Sequence, residues 1–220
     1  MKDKLLIIAL ALALVIVTFQ WVSLKKMQSS SNSSQGVYEN IMTRTSVRSY
    51  QDKSVSKDVI NKLLHAGMAA PSAVNKQPWH FIVVTNKNEL KAIAEATPNA
   101  SMAKDAPLAI VVCGDLSKAL QGEGQQIWIQ DCSAASENIL LAAHGLGLGA
   151  VWTGTYPSKE RCAAISKILS LPKNLIPLNT IVIGYPNESQ QPKDKWNTDN
   201  ISWNKYGILG KLLEHDENKD

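Results

Sequence analysis

Two short stretches of this 220-residue chain concentrate side chains able to hold a polar ligand. In Arg44-Thr45-Ser46-Val47-Arg48, two guanidinium groups and two hydroxyls fall within five residues. Arginine forks supply charge-assisted donors and Ser46 adds a hydroxyl, a set suited to the dianionic phosphate of a mononucleotide. The same spacing also describes a solvated helix end with arginines at i and i+4. The second stretch, Ala70-Pro71-Ser72-Ala73-Val74-Asn75-Lys76-Gln77-Pro78-Trp79-His80-Phe81, is stiffened by two prolines. Its Ser72, Asn75 and Gln77 can pair with the edge of a planar heterocycle. They can equally satisfy a turn between a helix and a strand.

Other chemistries find no support in the spacing. His65, His80 and His144 form no HxxH or HExxH pattern, so they read as core or capping histidines and no metal ligand is assigned. Asp131-Cys132-Ser133 has no histidine placed to activate a nucleophile and lies among alanines, so no catalytic side chain is assigned either. Cys113, Cys132 and Cys162 lack CxxC spacing and read as buried free thiols. The net charge is +4, and the lysines are scattered with no basic block interleaved with aromatics. Nucleic acid is therefore not an expected partner. Trp128, Trp196 and Trp203 read as core or interface residues.

The elements that must position these groups follow from periodicity. Val59, Ile60, Leu63, Leu64 and Gly67 recur at helical spacing behind the capping candidate Ser56, and the pattern halts before Pro71. Short β-rich apolar runs at Trp79 to Thr85, Leu108 to Cys113, Ala150 to Thr153 and Thr180 to Ile183 predict four strands. A long helix, apolar almost all round, is predicted over Gln126 to His144, with shorter ones over Glu89 to Ala96 and Lys159 to Leu169. Gly145-Leu146-Gly147-Leu148-Gly149 follows a helix and reads as its C-cap, and no Gly-rich turn follows the first strand, so a Rossmann site is not supported.

The amino-terminal end differs in kind. An unbroken apolar run from Leu5 to Val17 continues as a mixed stretch to Leu24, between Lys4 and Lys25-Lys26. It matches both a signal-peptide core and the roughly 20 residues that span a bilayer. Without an A-x-A-like site, it reads as an uncleaved anchor. The expected organisation is a hydrophobic signal or anchor segment at 1–26, a Ser-rich linker at 27–36 and a folded domain at 37–220. The expected location is membrane-anchored or exported, with the side of the membrane open because lysines flank both ends.

R-x-S-x-R at 44–48, followed by P-S-x-x-N-x-Q-P-W-x-F from Pro71, resembles the opening signature of the nitroreductase family. Further likeness runs through Gln130 to Ala135, Gly145 to Pro157 and Ile183-Gly184-Tyr185-Pro186. The resemblance implies an α+β fold with a mixed β-sheet flanked by helices, in a homodimer with FMN at the shared interface. It further implies that Arg44, Thr45, Ser46 and Arg48 hold the phosphate and ribityl chain. Pro71, Ser72, Ala73 and Asn75 would come from the partner subunit. Thr153, Gly154 and Thr155 would pass the isoalloxazine, with a backbone N–H near N5, and Lys193 or, preferably, Lys195 would complete the phosphate site. The activity implied is an FMN-dependent transfer of electrons from NADH or NADPH to a small-molecule acceptor such as a nitroaromatic or quinone, by a ping-pong mechanism. The alternative is a membrane-tethered flavin-binding protein without turnover. This chain departs from the family pattern at Ala73, where several members carry serine, and at Gly154, where some carry an acidic residue.

Overall fold

A computed structural model describes residues 36–207. They divide into two units, one running to Gln190 and one starting at Gln191. The first holds helices α1 (36–43), α2 (Lys57–Met68), α3 (Lys87–Ala96), α4 (Trp128–Gly145) and α5 (Lys159–Ile168). Its strands are β1 (Trp79–Val84), β2 (Leu108–Asp115), β3 (Gly149–Gly154) and β4 (Leu175–Gly184). They form one sheet in the order β1-β2-β4-β3, and all three strand pairs are antiparallel. The parallel component is an isolated bridge between Ser46 and Ala150. The second unit, by itself, is irregular apart from a short 3-10 turn at Thr198–Asn200.

The central strand β2 explains the layering. Leu108, Ile110 and Val112 face one side, against α2 and α4, while Ala109, Val111 and Cys113 face the other, against α3 and α5. Side chains alternate with period two, so a strand covered on both faces must be apolar throughout. Each of β2's eight residues is buried. Helix termini follow the sequence signals: the Ser56 hydroxyl accepts from the Val59 amide (3.4 Å), and Gly147, at φ 74°, closes α4 with its amide on the His144 carbonyl (2.9 Å).

Strand β4 begins five residues before its expected start at Thr180. Pro177 masks this half of the strand in the sequence, because a residue without an N–H is rarely found inside a sheet. The ladder absorbs it where the β2–β4 register shifts between Val112 and Cys113, with Pro177 opposite Cys113. The 3-10 segment Pro98–Asp105 and the helix at 36–43 carry no comparable sequence signal.

The membrane-anchored or exported placement needs correction. Among the described residues no helix is long and apolar enough to cross a membrane. The long helix α4 fails because Gln130, Asp131, Ser133, Ser136, Glu137 and Asn138 interrupt its apolar surface. The expected hydrophobic segment at 1–26 and the linker at 27–36, apart from Gly36, lie outside the described residues.

Gly114 sets the closest approach between layers. A Cβ at this position would overlap Cε3 of the Trp128 ring, with two further ring atoms at 2.7 Å. Trp128 is itself buried, so it has nowhere to move. Gly114→Ala should therefore destabilise the fold by about 1–3 kcal/mol, the usual cost of overpacking. A denaturant midpoint equal to that of the unmodified protein would show that the layers are not in contact here.

Candidate functional site

The segment after α1 does not continue as a helix but is laid across the sheet end. The Val47 amide donates to the Ala150 carbonyl (3.1 Å), and Gln51 N–H donates to Tyr185 O (2.8 Å). Gly149 makes the approach possible, because a Cβ there would stand 2.6 Å from Val47 Cβ. Tyr50 locks the segment from inside. Its buried hydroxyl donates to Val47 O (2.6 Å) and also lies 3.0 Å from Val182 O. Burial raises its pKa well above the ordinary phenol range, so it remains a donor.

This fixes Arg44, Thr45, Ser46 and Arg48 beside β3. Arg44 is mostly covered, and its Nε lies 3.5 Å from Glu137 Oε1 on α4. Arg48 is exposed, with Nη1 3.3 Å from the Ser46 carbonyl. Thr45 and Ser46 are half-buried. Three and four residues along β3 from Ala150 stand Thr153 and Gly154, about 10–13 Å away at the rise of a strand. A phosphate held by the arginines and a ring held at Gly154 would thus lie along one strand.

The peptide at Gly154 has a definite direction. Thr155 N–H donates to Leu178 O (3.0 Å), so Thr155 points toward β4. The alternation of an antiparallel ladder then turns Gly154 out of the sheet edge, with N–H and C=O on the same side. Its carbonyl confirms this, accepting from Arg161 Nη1 (2.8 Å) and Asn99 Nδ2 (3.3 Å). A Cβ on Gly154 would meet nothing within 4 Å, so there is open space beside it. Thr153 and Thr155 are buried, and the Thr155 Oγ1 has no hydrogen-bond partner. A mononucleotide with a phosphate at one end and a flat ring at the other fits this edge.

The stretch at 71–77 is held elsewhere. Val74, Asn75 and Gln77 all have positive φ (43°, 58° and 49°), and for the β-branched Val74 that is a strained conformation. Two anchors sustain it. Asp131 Oδ1 on α4 accepts from the Ala73 amide (2.9 Å), and Ser72 Oγ accepts from the Gln77 amide (3.0 Å). Asp131→Ala should release the loop and cost about 1–3 kcal/mol, because the Ala73 amide loses a charged acceptor. Faster amide hydrogen exchange at 72–77 is the expected signature, and unchanged protection there would argue against the anchor.

The loop leads into β1, at the opposite edge of the sheet from β3. Three strand spacings, about 14 Å, separate the two edges. Within one chain, Pro71, Ser72, Ala73 and Asn75 are therefore not brought to Thr153–Thr155. Lys193 and Lys195 lie in the second unit, and both are exposed. Two grooves among the described residues, one of ≈ 610 Å³ along α3 and one of ≈ 300 Å³ between α2 and β1, are lined by none of the residues at the β3 edge.

Sequence reasoning did not single out Glu137, Arg161 or Asn99, and it weighed Asp131 only beside Cys132 and Ser133, not as an anchor of the 72–77 loop. The one legible signal was an arginine in the first turn of α5, where the helix dipole disfavours a cation. Neither a nucleophile nor a metal centre emerges. Burial first, and then the neighbouring Cys113 and Asp131, push the Cys132 thiol up to about 12, leaving it protonated. Among the described residues no His, Cys, Asp and Glu cluster could hold a metal ion.

Comparison with known proteins is decisive at this point. The family model described as "Nitroreductase family" matches residues 41–101 and 95–185. The chain belongs to the nitroreductase family. A relative from Methanothermobacter thermautotrophicus, described as a candidate NADH dehydrogenase/NAD(P)H nitroreductase, is 49% identical over 175 residues, covering 79% of this chain and 90% of its own. The crystal structure of a protein of the same description from Parabacteroides distasonis superposes with a TM-score of 0.74 at 47% identity, over 77% of this chain and 98% of the other. A candidate nitroreductase from Desulfovibrio desulfuricans, solved in complex with FMN, gives a TM-score of 0.63 at 31% identity over 73% and 91%. The α+β nitroreductase fold of this chain, a sheet between helical layers, is thereby established.

Proposed function

We propose that this chain, an FMN-dependent NAD(P)H oxidoreductase, passes electrons from NADH or NADPH to a small electrophile such as a nitroaromatic or quinone by a ping-pong mechanism. The observation that carries this reading is the β3 edge, where a guanidinium pair and an outward backbone amide lie along one strand. Bound there, FMN would supply the two-electron redox chemistry that links the nicotinamide to the acceptor.

The chain's own residues bind and orient. Arg44 and Arg48 supply forked donors to the phosphate, with Thr45 and Ser46 adding hydroxyls. Thr153, Gly154 and Thr155 present the strand end, and the Gly154 amide gives a fixed donor where electron density rises on reduction. No side chain is assigned a proton-transfer role.

Pro71, Ser72, Ala73 and Asn75 complete the site from a second copy of the chain. The opposite-edge placement of 71–75 and 153–155 supports this, since one chain offers only half of each site. Exposed apolar side chains support it too: Val37, Ile41 and Met42 on α1, Met68 on α2 and Val74 at the loop tip. The flavin-binding domain is taken to run over 37–220.

Purified protein should show the absorption of oxidised flavin at about 450 nm, lose it on anaerobic mixing with NADH or NADPH, and regain it when a quinone is added. Parallel double-reciprocal plots and a dimer by light scattering complete the expectation. A protein that takes up no FMN would remove the reading, and intersecting plots would remove the ping-pong order.

A further inference from the structure

The carbonyl of Gly154 has two donors of its own. Arg161 reaches it from the first turn of α5, with Nη1 at 2.8 Å, and Asn99 reaches it from the 3-10 segment, with Nδ2 at 3.3 Å. Arg161 stands where a helix dipole disfavours a cation, behind the Ser158 cap that accepts from the Arg161 amide (3.3 Å). Its guanidinium is half-buried, so partial desolvation strengthens the bond it makes.

We propose that Arg161, assisted by Asn99, is a positioning residue for the flavin edge, taking up the negative end of the Gly154 carbonyl so that the adjacent Gly154 amide alone addresses the cofactor. The inference rests on the reading that FMN lies along β3. N–H and C=O of Gly154 leave the strand on the same side. An uncompensated carbonyl would put partial negative charge beside the very edge that the amide serves, and would oppose any rise of electron density there. A guanidinium on that oxygen cancels the opposition, adds positive charge close to the ring, and fixes the peptide plane. Arg161 makes no contact with the reacting atoms in this account. It acts through Gly154.

The experiment measures the midpoint potential of bound FMN, alongside its dissociation constant, in the full-length protein and in Arg161→Gln, Arg161→Lys and Asn99→Ala. Arg161→Gln should lower the preference for reduced over oxidised FMN at least tenfold, about 30 mV for a two-electron couple. Oxidised FMN should bind within a few-fold of the unmodified affinity. Arg161→Lys, which keeps the charge without the fork, should recover part of the shift, and Asn99→Ala should move the potential in the same direction by less. Turnover should fall in kcat with KM for the nicotinamide nearly constant. If Arg161→Gln does not fold, Asn99→Ala and Arg161→Lys carry the comparison. Potentials unchanged in every folded variant would overturn the role of Arg161 while leaving the FMN site standing. Unmodified protein that takes up no FMN would overturn both, and is distinguished at the first step.

Discussion

Arg44→Ala should weaken FMN binding by about 10- to 100-fold, the loss expected when a charge-assisted pair to a phosphate is removed at about 1.5–3 kcal/mol. Arg44 is the better held of the two arginines. Its side chain is only 20% exposed, and Glu137 fixes its Nε, which leaves the two terminal nitrogens to form a fork. Arg48 is exposed and bonds locally to the Ser46 carbonyl, so its fork must first be ordered. Arg48→Ala should cost less. Arg44→Lys should not restore affinity, because an ammonium lacks the planar fork that faces a phosphate while a third nitrogen is held by Glu137. Fluorescence titration of apoprotein with FMN at two ionic strengths is the measurement. Its outcome should show a smaller salt dependence in Arg44→Ala than in the unmodified protein. Affinity within twofold of unmodified would place the phosphate elsewhere. Fold stability should barely change, since the Arg44–Glu137 pair is partly solvated.

The sequence was most informative where chemistry and local geometry coincide. Ser56 announces α2 because a cap acts within its own turn, and β2 announces its double burial by leaving no polar position. From residue types alone, Arg44 to Arg48 offers a set suited to a phosphate and equally to a solvated helix end. Its attachment to β3 is not legible, because the Ser46–Ala150 bridge joins positions a hundred residues apart and depends on the absent Cβ of Gly149. Asp131 and Glu137 were hidden for a related reason. Both sit in a helix whose pattern says only that it is buried, while their partners at Ala73 and Arg44 lie in loops whose course no periodicity encodes. Pro177 misled in the opposite sense, since its local veto on a strand is outvoted by the pairing of the residues on either side. The amino-terminal run was read by hydropathy alone, a signal that says nothing of the fold that follows.

Ile139→Ala should damage the fold by about 2–5 kcal/mol, or roughly 10 °C in Tm for a domain of this size. Ile139 is fully buried in the middle of α4 and belongs to the core cluster shared with α2 and the sheet. Its contact with α2 is set by Gly67, where a Cβ would lie 3.0 Å from Ile139 Cδ1. Ile139→Val removes one methyl group and should cost only about 0.5–1.5 kcal/mol. Thermal unfolding of the two variants tests the packing, and equal losses would mean that the site collapses around the cavity. The consequence reaches past stability because α4 is the element on which the site is assembled. Asp131, near its start, holds the strained 72–77 loop; Ser136 accepts from the buried Asn179 beside Gly154; and Glu137 holds Arg44. These three span about 9 Å of helix at 1.5 Å per residue, with Ile139 just beyond the last. A cavity under that stretch lets all three shift together. Ile139→Ala should therefore loosen FMN binding although no atom of Ile139 contacts the proposed site, and the loss should follow the loss of Tm across the Ile, Val, Ala series.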